Sequence, residues 1–336
     1  MAAASLLSGR ASAHHHGGMH RTRLARDLYQ IAELVELCFG ERLDSNGRSA
    51  IREMKMIARM IPLLWLMSLL NGIGLGLGTG YVWRERKRVT GNVSLYRGGQ
   101  HPILGRGFLV ANVAVHPDIR RQGIARLLME ATLDLVERKK GNWVALQVES
   151  DNVPAISLYR SLGFRELETL TQWETTRIKY LPSPPSTMWT MRQRGSRDTE
   201  AIRKLIFERA RVGGMAWTRT IEQSDIVDPL AGLPGVSPKE QWVIPALHRH
   251  DTLMGLVWVE QPGWRQVRVT QFLDPALEDP QARRALLQSV LSRSTVQGRT
   301  IRVETIADDP PVDSLLTDTG FRPVRHLTQM RKRMDH

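Results

Sequence analysis

The chain has 336 residues, 42% hydrophobic and 24% charged, which excludes a disordered or fibrous polymer and fits one large core or two domains of about 150 residues each. Its 47 lysines and arginines against 34 acidic residues give a net charge of +13, suited to polyphosphates, nucleic acid or anionic membrane. The single cysteine, Cys38, excludes an intrachain disulfide, and no metal-ligand or aromatic nucleic-acid motif accompanies the spread-out basic residues.

Residues 1–18 are small and polar and lack the apolar stretch of a signal peptide; they are expected to form a flexible tail, with His14–His16 incidental and the fold beginning at Met19. A short strand near Met19–Arg26 leads to a helix opened by Asp27, with Leu28, Ile31, Leu34, Val35 and Cys38 on one apolar stripe. Cys38 therefore reads as a packed helix residue, not a nucleophile. A second helix is expected from about Ser45. Met60 to Trp83 carries no charge for 24 residues, long enough to cross a bilayer as a helix. Pro62 and Gly72, Gly74, Gly76, Gly78 and Gly80 oppose that, since an interior glycine costs up to ~1 kcal/mol in a helix. A buried helix, a Gly-rich loop and a strand account for the same letters.

Strands follow near Gly80–Arg84, Arg88–Arg97 and Gly107–Val115, then a turn at His116–Gln122 and a helix with Ile124, Leu127, Leu128, Ala131 and Leu135 on one face. A strand at Trp143–Val148, a short helix at Pro154–Leu162 and a strand from Phe164 complete an α+β unit. The pattern then recurs. Gly163-Phe164-Arg165 and Leu170-Thr171-Gln172 return 157 residues later as Gly320-Phe321-Arg322 and Leu327-Thr328-Gln329. His116-Pro117 matches Asp274-Pro275, and Asp27 before Ile31 and Leu34 matches Asp198 before Ile202 and Leu205. The second copy gives strands near Gln241–Leu247, Leu253–Val259, Arg265–Leu273 and Thr300–Thr305. Pro182-Ser183-Pro184-Pro185-Ser186, which no helix or interior strand tolerates, separates the copies. The expected organisation is a tail at 1–18, a first domain at 19–180, a linker at 181–187 and a second domain at 188–333.

Arg120-Arg121-Gln122-Gly123-Ile124-Ala125 follows a strand and opens an amphipathic helix. Its backbone N–H groups lie at the positive end of the helix dipole, Gly123 admits close approach of a bulky anion, and the arginines add charge. Placed without an acidic or hydroxyl cap, this is a cradle for an anion, and pyrophosphate is the natural guest.

The order Val113-Ala114-Val115, Arg120-x-x-Gly123-x-Ala125, Asn152, Ala155, Tyr159 and Gly163-Phe164 resembles the GNAT superfamily of N-acetyltransferases. The resemblance covers roughly Leu24 to Glu174 and is sharpest from Val113 to Phe164. It implies two tandem α+β domains, each a mixed, mostly antiparallel sheet flanked by helices, with acetyl-CoA as acyl donor and no metal. It further implies that Val113, Ala114 and Val115 pair with the pantetheine arm and that Arg120, Arg121, Gln122, Gly123, Ile124, Ala125 and Arg126 hold the pyrophosphate. Asn152 would contact the pantetheine, Tyr159 would protonate the departing thiolate, and a backbone N–H near Val115 would polarise the thioester carbonyl. Attack would be direct, by a neutral amine, since no Cys or Ser stands out as a nucleophile.

One departure concerns the base. Many relatives that acetylate protein N-termini carry a glutamate where this chain has Gln147; Glu149, two residues on and on the same strand face, is the candidate base through a water, against a plain strand-end carboxylate. His116 reads as part of a turn. The second copy looks disarmed, with Glu278-Asp279-Pro280-Gln281 in place of Arg120–Gly123 and Leu316 in place of Tyr159. It is expected to shape the acceptor cleft instead. The resulting expectation is a cytoplasmic acetyl-CoA-dependent N-acetyltransferase with a small-molecule amine acceptor and no nucleic-acid or membrane partner. The alternative is a non-catalytic acyl-CoA-binding sensor or interaction protein.

Overall fold

The computed structural model describes residues 17–40, 79–101, 104–179, 189–206, 240–246, 249–263, 266–277, 279–292, 298–307 and 309–334, with helical residues 48, 51, 52, 54–56, 58 and 59 between the first two stretches. Most of the uncharged stretch (60–78), the proline-rich linker and Glu278 lie outside the described residues. Among the described residues no helix is long and apolar enough to cross a membrane. The chain packs as two compact units, residues 1–97 with 108–140, and residues 98–107 with 141–336.

In the first unit, β1 (Gly17–Arg21) and α1 (Leu24–Phe39) precede β2 (Thr79–Glu85), β3 (Arg88–His101), β4 (Gly105–Val115) and α2 (Ile124–Arg138), the ends of β3 and β4 that face each other in sequence belonging to the second unit. β1 and β2 pair antiparallel, as do β2 and β3. The apolar stripe of α1 closes a core with Ile51, Val82, Val89 and Ala114, and Cys38 packs half-buried against it. β1 ends at Arg21, short of the expected Arg26, because α1 starts three residues before Asp27. Asp27 acts from inside the first turn: its carboxylate accepts from the backbone N–H of Arg23 at 2.9 Å. The same carboxylate, with no solvent exposure, also receives Arg84 of β2 and Arg26. A buried ion pair thus joins the first helix to the sheet.

The second unit holds β5 (Trp143–Glu149), α3 (Val153–Ser161), β6 (Arg165–Thr175), β7 (Arg192–Gln193), α4 (Thr199–Lys204), β8 (Glu240–Ala246), β9 (Arg249–Gly263) and β10 (Gln266–Leu273). After these come α5 (Pro280–Leu291), β11 (Thr300–Ile306), α6 (Pro310–Asp318) and β12 (Arg322–Arg333). The strands run in the order β5-β12-β6-β11-β10-β9-β8-β7, with β10 and β11 parallel and the other pairs antiparallel. One face buries α5 and α6 through Leu286, Leu287, Val290, Leu315 and Leu316; the other buries Ile202, Leu205 and Ile206 against Leu170, Trp258 and Phe272.

The sequence repeat is also a structural one. β11 and α6 have the bounds of β5 and α3 moved on by 157 residues, and β6 and β12 begin at equivalent positions. The last strands are exchanged: β12 lies between β5 and β6, and β6 lies between β11 and β12. Leu170 pairs with Leu327, its own repeat equivalent, and Leu327 opposite Glu149 is mirrored by Leu170 opposite Ile306. A local two-fold therefore passes through the Leu170–Leu327 pair.

Close backbone approach governs one corner of this unit. A Cβ added at Gly107 would lie 1.9 Å from Cζ2 of Trp143, whose indole N–H donates to the Gly105 carbonyl at 3.0 Å.

Removing one member of a buried ion pair strands the other in a poorly solvating environment. Asp27→Ala is expected to lower unfolding stability by about 3–5 kcal/mol, read from urea denaturation, whereas Glu130→Ala on the exposed Arg126–Glu130 pair costs under about 1 kcal/mol.

Candidate active site

The end of β4 departs from a regular strand. Asn112 has φ of 52°, a left-handed conformation that ordinary side chains rarely adopt. It is held there by Asn92, whose side-chain amide donates to the Asn112 carbonyl at 2.7 Å, and by its own amide donating to the Tyr96 hydroxyl at 3.4 Å. Beyond this irregularity Ala114 is buried against the α1 core, while Val113 and Val115 are only half-buried. The Val115 carbonyl accepts from Arg120 Nε at 3.0 Å and from Cys38 Sγ at 3.5 Å, so Cys38 is a packing and donor group. The His116 N–H donates to the Thr90 carbonyl, and Pro117–Ile119 form one turn of 3-10 helix. His116 is thus a turn residue, as its sequence context indicates.

The next residues make the concave element. Arg121 and Gly123 both have positive φ, 65° and 78°, so the chain coils back on itself before α2 begins at Ile124. Among the described residues no hydrogen bond takes up the backbone N–H groups of Arg121, Gln122, Gly123, Ile124 or Ala125. Gly123 is the helix N-cap, so no side chain caps the helix, and the first turn contains no acidic residue. Arg120, Arg121 and Gln122 are exposed beside it, and Arg126 pairs with Glu130 at 3.6 Å. A Cβ on Gly123 would meet nothing within 4 Å. Packing therefore does not explain the glycine. The left-handed backbone does, together with the need to keep open the space in front of the free N–H groups. Unpaired donors, a helix dipole and arginines all favour one sign of charge here, and the guest they fit is a phosphate-bearing anion.

The remaining predicted residues belong to the second unit. Asn152 caps α3, its side-chain oxygen accepting from the Ala155 N–H at 3.3 Å. Tyr159 is buried, with its ring centroid 5.9 Å from that of Phe164. Burial pushes its phenol above the ordinary tyrosine value. Glu149, the candidate base, is engaged by Arg325 of β12 through Nε at 2.7 Å and Nη2 at 2.6 Å. Gln147 is exposed on β5, directly opposite Gln329 of β12. Residues 113–126 thus come together as one strand–loop–helix element of the first unit, and Glu149, Asn152 and Tyr159 as a strand–helix element of the second. Sequence reasoning missed Arg325 and Gln329, because nothing in the repeat says which strand receives β12.

The equivalent positions of the C-terminal repeat are built differently. α5 begins at Pro280, which has no N–H, and its cap is Asp279, whose carboxylate accepts from the Gln281 N–H at 2.9 Å. A carboxylate of the chain itself occupies the position at which an anion would be held. Leu316, equivalent to Tyr159, is fully buried among apolar side chains.

Residues 77–166 match the family described as acetyltransferase (GNAT) domain. Over 72 residues the chain is 40% identical to the [ribosomal protein bS18]-alanine N-acetyltransferase of Escherichia coli K12, covering 21% of this chain and 44% of that protein. It is 34% identical over 76 residues to the mycothiol acetyltransferase of an Arthrobacter species, covering 23% and 21% respectively. The alignments thus span less than half the length of these curated relatives. Among solved structures, a GCN5-related N-acetyltransferase from Sphaerobacter thermophilus superposes with a TM-score of 0.61 at 13% identity, covering 96% of this chain and 97% of that one. A tandem GNAT protein from the clavulanic acid biosynthesis pathway superposes with a TM-score of 0.51 at 15% identity, covering 94% and 98%. The chain shares this fold along nearly its whole length, and its residues 77–166 match the acetyltransferase (GNAT) domain family.

Proposed function

We propose that the chain is a tandem GNAT protein in which residues 19–180 transfer an acetyl group from acetyl-CoA to an amine and residues 188–333 have lost the donor site. The observation that carries this reading is the uncapped, arginine-flanked loop at Arg120–Ala125 with its unpaired N–H groups. The contrast with the Asp279-capped start of α5 supports a single donor site per chain. Names of the relatives support acetyl transfer to nitrogen; one acts on an alanine of a ribosomal protein. We favour a small-molecule amine, with a peptide N-terminus as the acceptor to be tested against it, and the cytoplasm as the place of action.

In the proposed reaction the neutral amine attacks the thioester carbonyl carbon. Negative charge then moves onto the carbonyl oxygen, where a backbone N–H at the end of β4 stabilises it. The C–S bond breaks, and the departing thiolate takes a proton from Tyr159. Its buried phenol, with its raised proton affinity, remains protonated throughout the neutral range. The new amide nitrogen gives its extra proton to water, with Glu149 as the proposed relay beside Arg325, and a proton from solvent restores Tyr159. A sensor that binds acyl-CoA without turning it over is the competing reading.

Release of free thiol with an amine panel separates the two. Turnover excludes the sensor; binding without turnover on every amine excludes the enzyme. Gly123→Glu is expected to abolish both turnover and the thermal shift given by acetyl-CoA, because a carboxylate enters the open space before the donors. Gly123→Ala, which adds left-handed strain of about 1–2 kcal/mol, should weaken binding far less. Tyr159→Phe should lower kcat by roughly 10²–10⁴-fold with little change in KM for acetyl-CoA. Because burial raises the phenol, the wild-type rate should show no alkaline decline below about pH 10.

A further inference from the structure

Asn112 lies inside β4 yet has φ of 52°, a conformation that persists outside glycine only where surrounding groups enforce it. Three ties to β3 do so. The Asn92 side-chain amide donates to the Asn112 carbonyl at 2.7 Å, and the Asn112 amide donates to the Tyr96 hydroxyl at 3.4 Å. Beyond them the His116 N–H donates to the Thr90 carbonyl at 2.8 Å. Val113, Ala114 and Val115 therefore run between two fixed points, both supplied by β3. The segment is also tied to the donor loop, since Arg120 Nε donates to the Val115 carbonyl at 3.0 Å. All of these residues belong to the first compact unit.

Asn92 is the costly member of this arrangement. It has no solvent exposure and stands opposite Val82 of β2, a member of the α1 core. Its Nδ2 also donates to Ser94 Oγ at 3.1 Å, but its Oδ1 is buried with no hydrogen-bond partner among the described residues. An unmet buried oxygen loses its hydration without return, so an apolar side chain of the same size would serve stability better. What the asparagine supplies is a hold on the carbonyl of a residue turned out of regular strand geometry.

We infer that Asn92 is a positioning residue for the donor: by holding Asn112 left-handed it fixes the direction of the backbone N–H groups that follow, on which the thioester carbonyl is polarised. This rests on the acetyl transfer proposed above, in which an N–H at the end of β4 stabilises the developing oxyanion. Asn92 itself touches neither donor nor acceptor in that arrangement.

Acetyl-CoA carrying a carbon-13 label at its carbonyl is bound to the full-length wild type, Asn92→Leu, Ser94→Ala and the double variant Asn92→Leu/Asn112→Gly. Carbon NMR then reads the carbonyl directly, with no acceptor needed. In the wild type the resonance should move downfield on binding, because hydrogen bonds to the oxygen draw electron density from the carbon. Asn92→Leu should lose most of that displacement while acetyl-CoA affinity stays the same and Tm is unchanged or higher. Its kcat should fall about tenfold or more on whichever of an alanyl tetrapeptide, glucosamine or putrescine the wild type acetylates. Ser94→Ala, which removes the other partner of the same amide, should keep both the displacement and kcat. Asn112→Gly should restore part of what Asn92→Leu loses, since glycine takes positive φ without enforcement. A wild-type displacement in Asn92→Leu, an equal loss in Ser94→Ala, or a loss of affinity and Tm along with the displacement overturns the inference while acetyl transfer stands. So does a wild type that binds acetyl-CoA with no displacement. A wild type that binds no acetyl-CoA overturns both.

Discussion

The pairing of β6 with β12 about the Leu170–Leu327 contact is the constraint on which the C-terminal part of this molecule depends. Each of these strands closes a sheet edge begun by residues of the other repeat, β12 beside β5 and β6 beside β11. Backbone donors and acceptors on both sides of β6 and β12 are thereby paired within the sheet. Exchange also binds the repeats to each other more firmly than a packed surface could. Residues 143–175 cannot complete their ladder without residues 322–333.

Once the repeats share strands, the second copy is needed to complete the ladder whatever stands at its helix start. The two helix starts show how little sequence this takes. Arg121-Gln122-Gly123 gives two left-handed residues and a row of free N–H groups; Asp279-Pro280-Gln281 gives a self-capped helix with one donor deleted. The backbone elements before them correspond, β10 matching the last eight residues of β4. Tyr159 and Leu316 show the same economy within a helix: both are buried at equivalent positions, and only one has a proton to give.

Much of this was legible in the sequence because it rests on local rules. The apolar stripe of α1, the strand–loop–helix from Val113 to Ala125 and the 157-residue repeat appear where periodicity and motif spacing put them. The sequence pattern puts Asp27 at the opening of the helix, whereas it works from inside the first turn, since a carboxylate can reach back to the N–H of Arg23. β3 runs to His101, past the expected Arg97, through Gly98 and Gly99. The strand exchange was not legible at all. Residues 165–175 and 322–333 carry the same motif, so pairing within a copy and pairing between copies satisfy one sequence pattern equally. The partners that follow from it, Arg325 with Glu149 and Gln147 with Gln329, were hidden for the same reason.

Calorimetric titration of the purified chain with acetyl-CoA addresses most directly the claim that one of two repeats keeps a donor site. A stoichiometry of one site per chain is the predicted result. Two sites would mean that the Asp279-capped start of α5 accepts a pyrophosphate after all, and no binding would contradict the assignment of Arg120–Ala125 as the cradle.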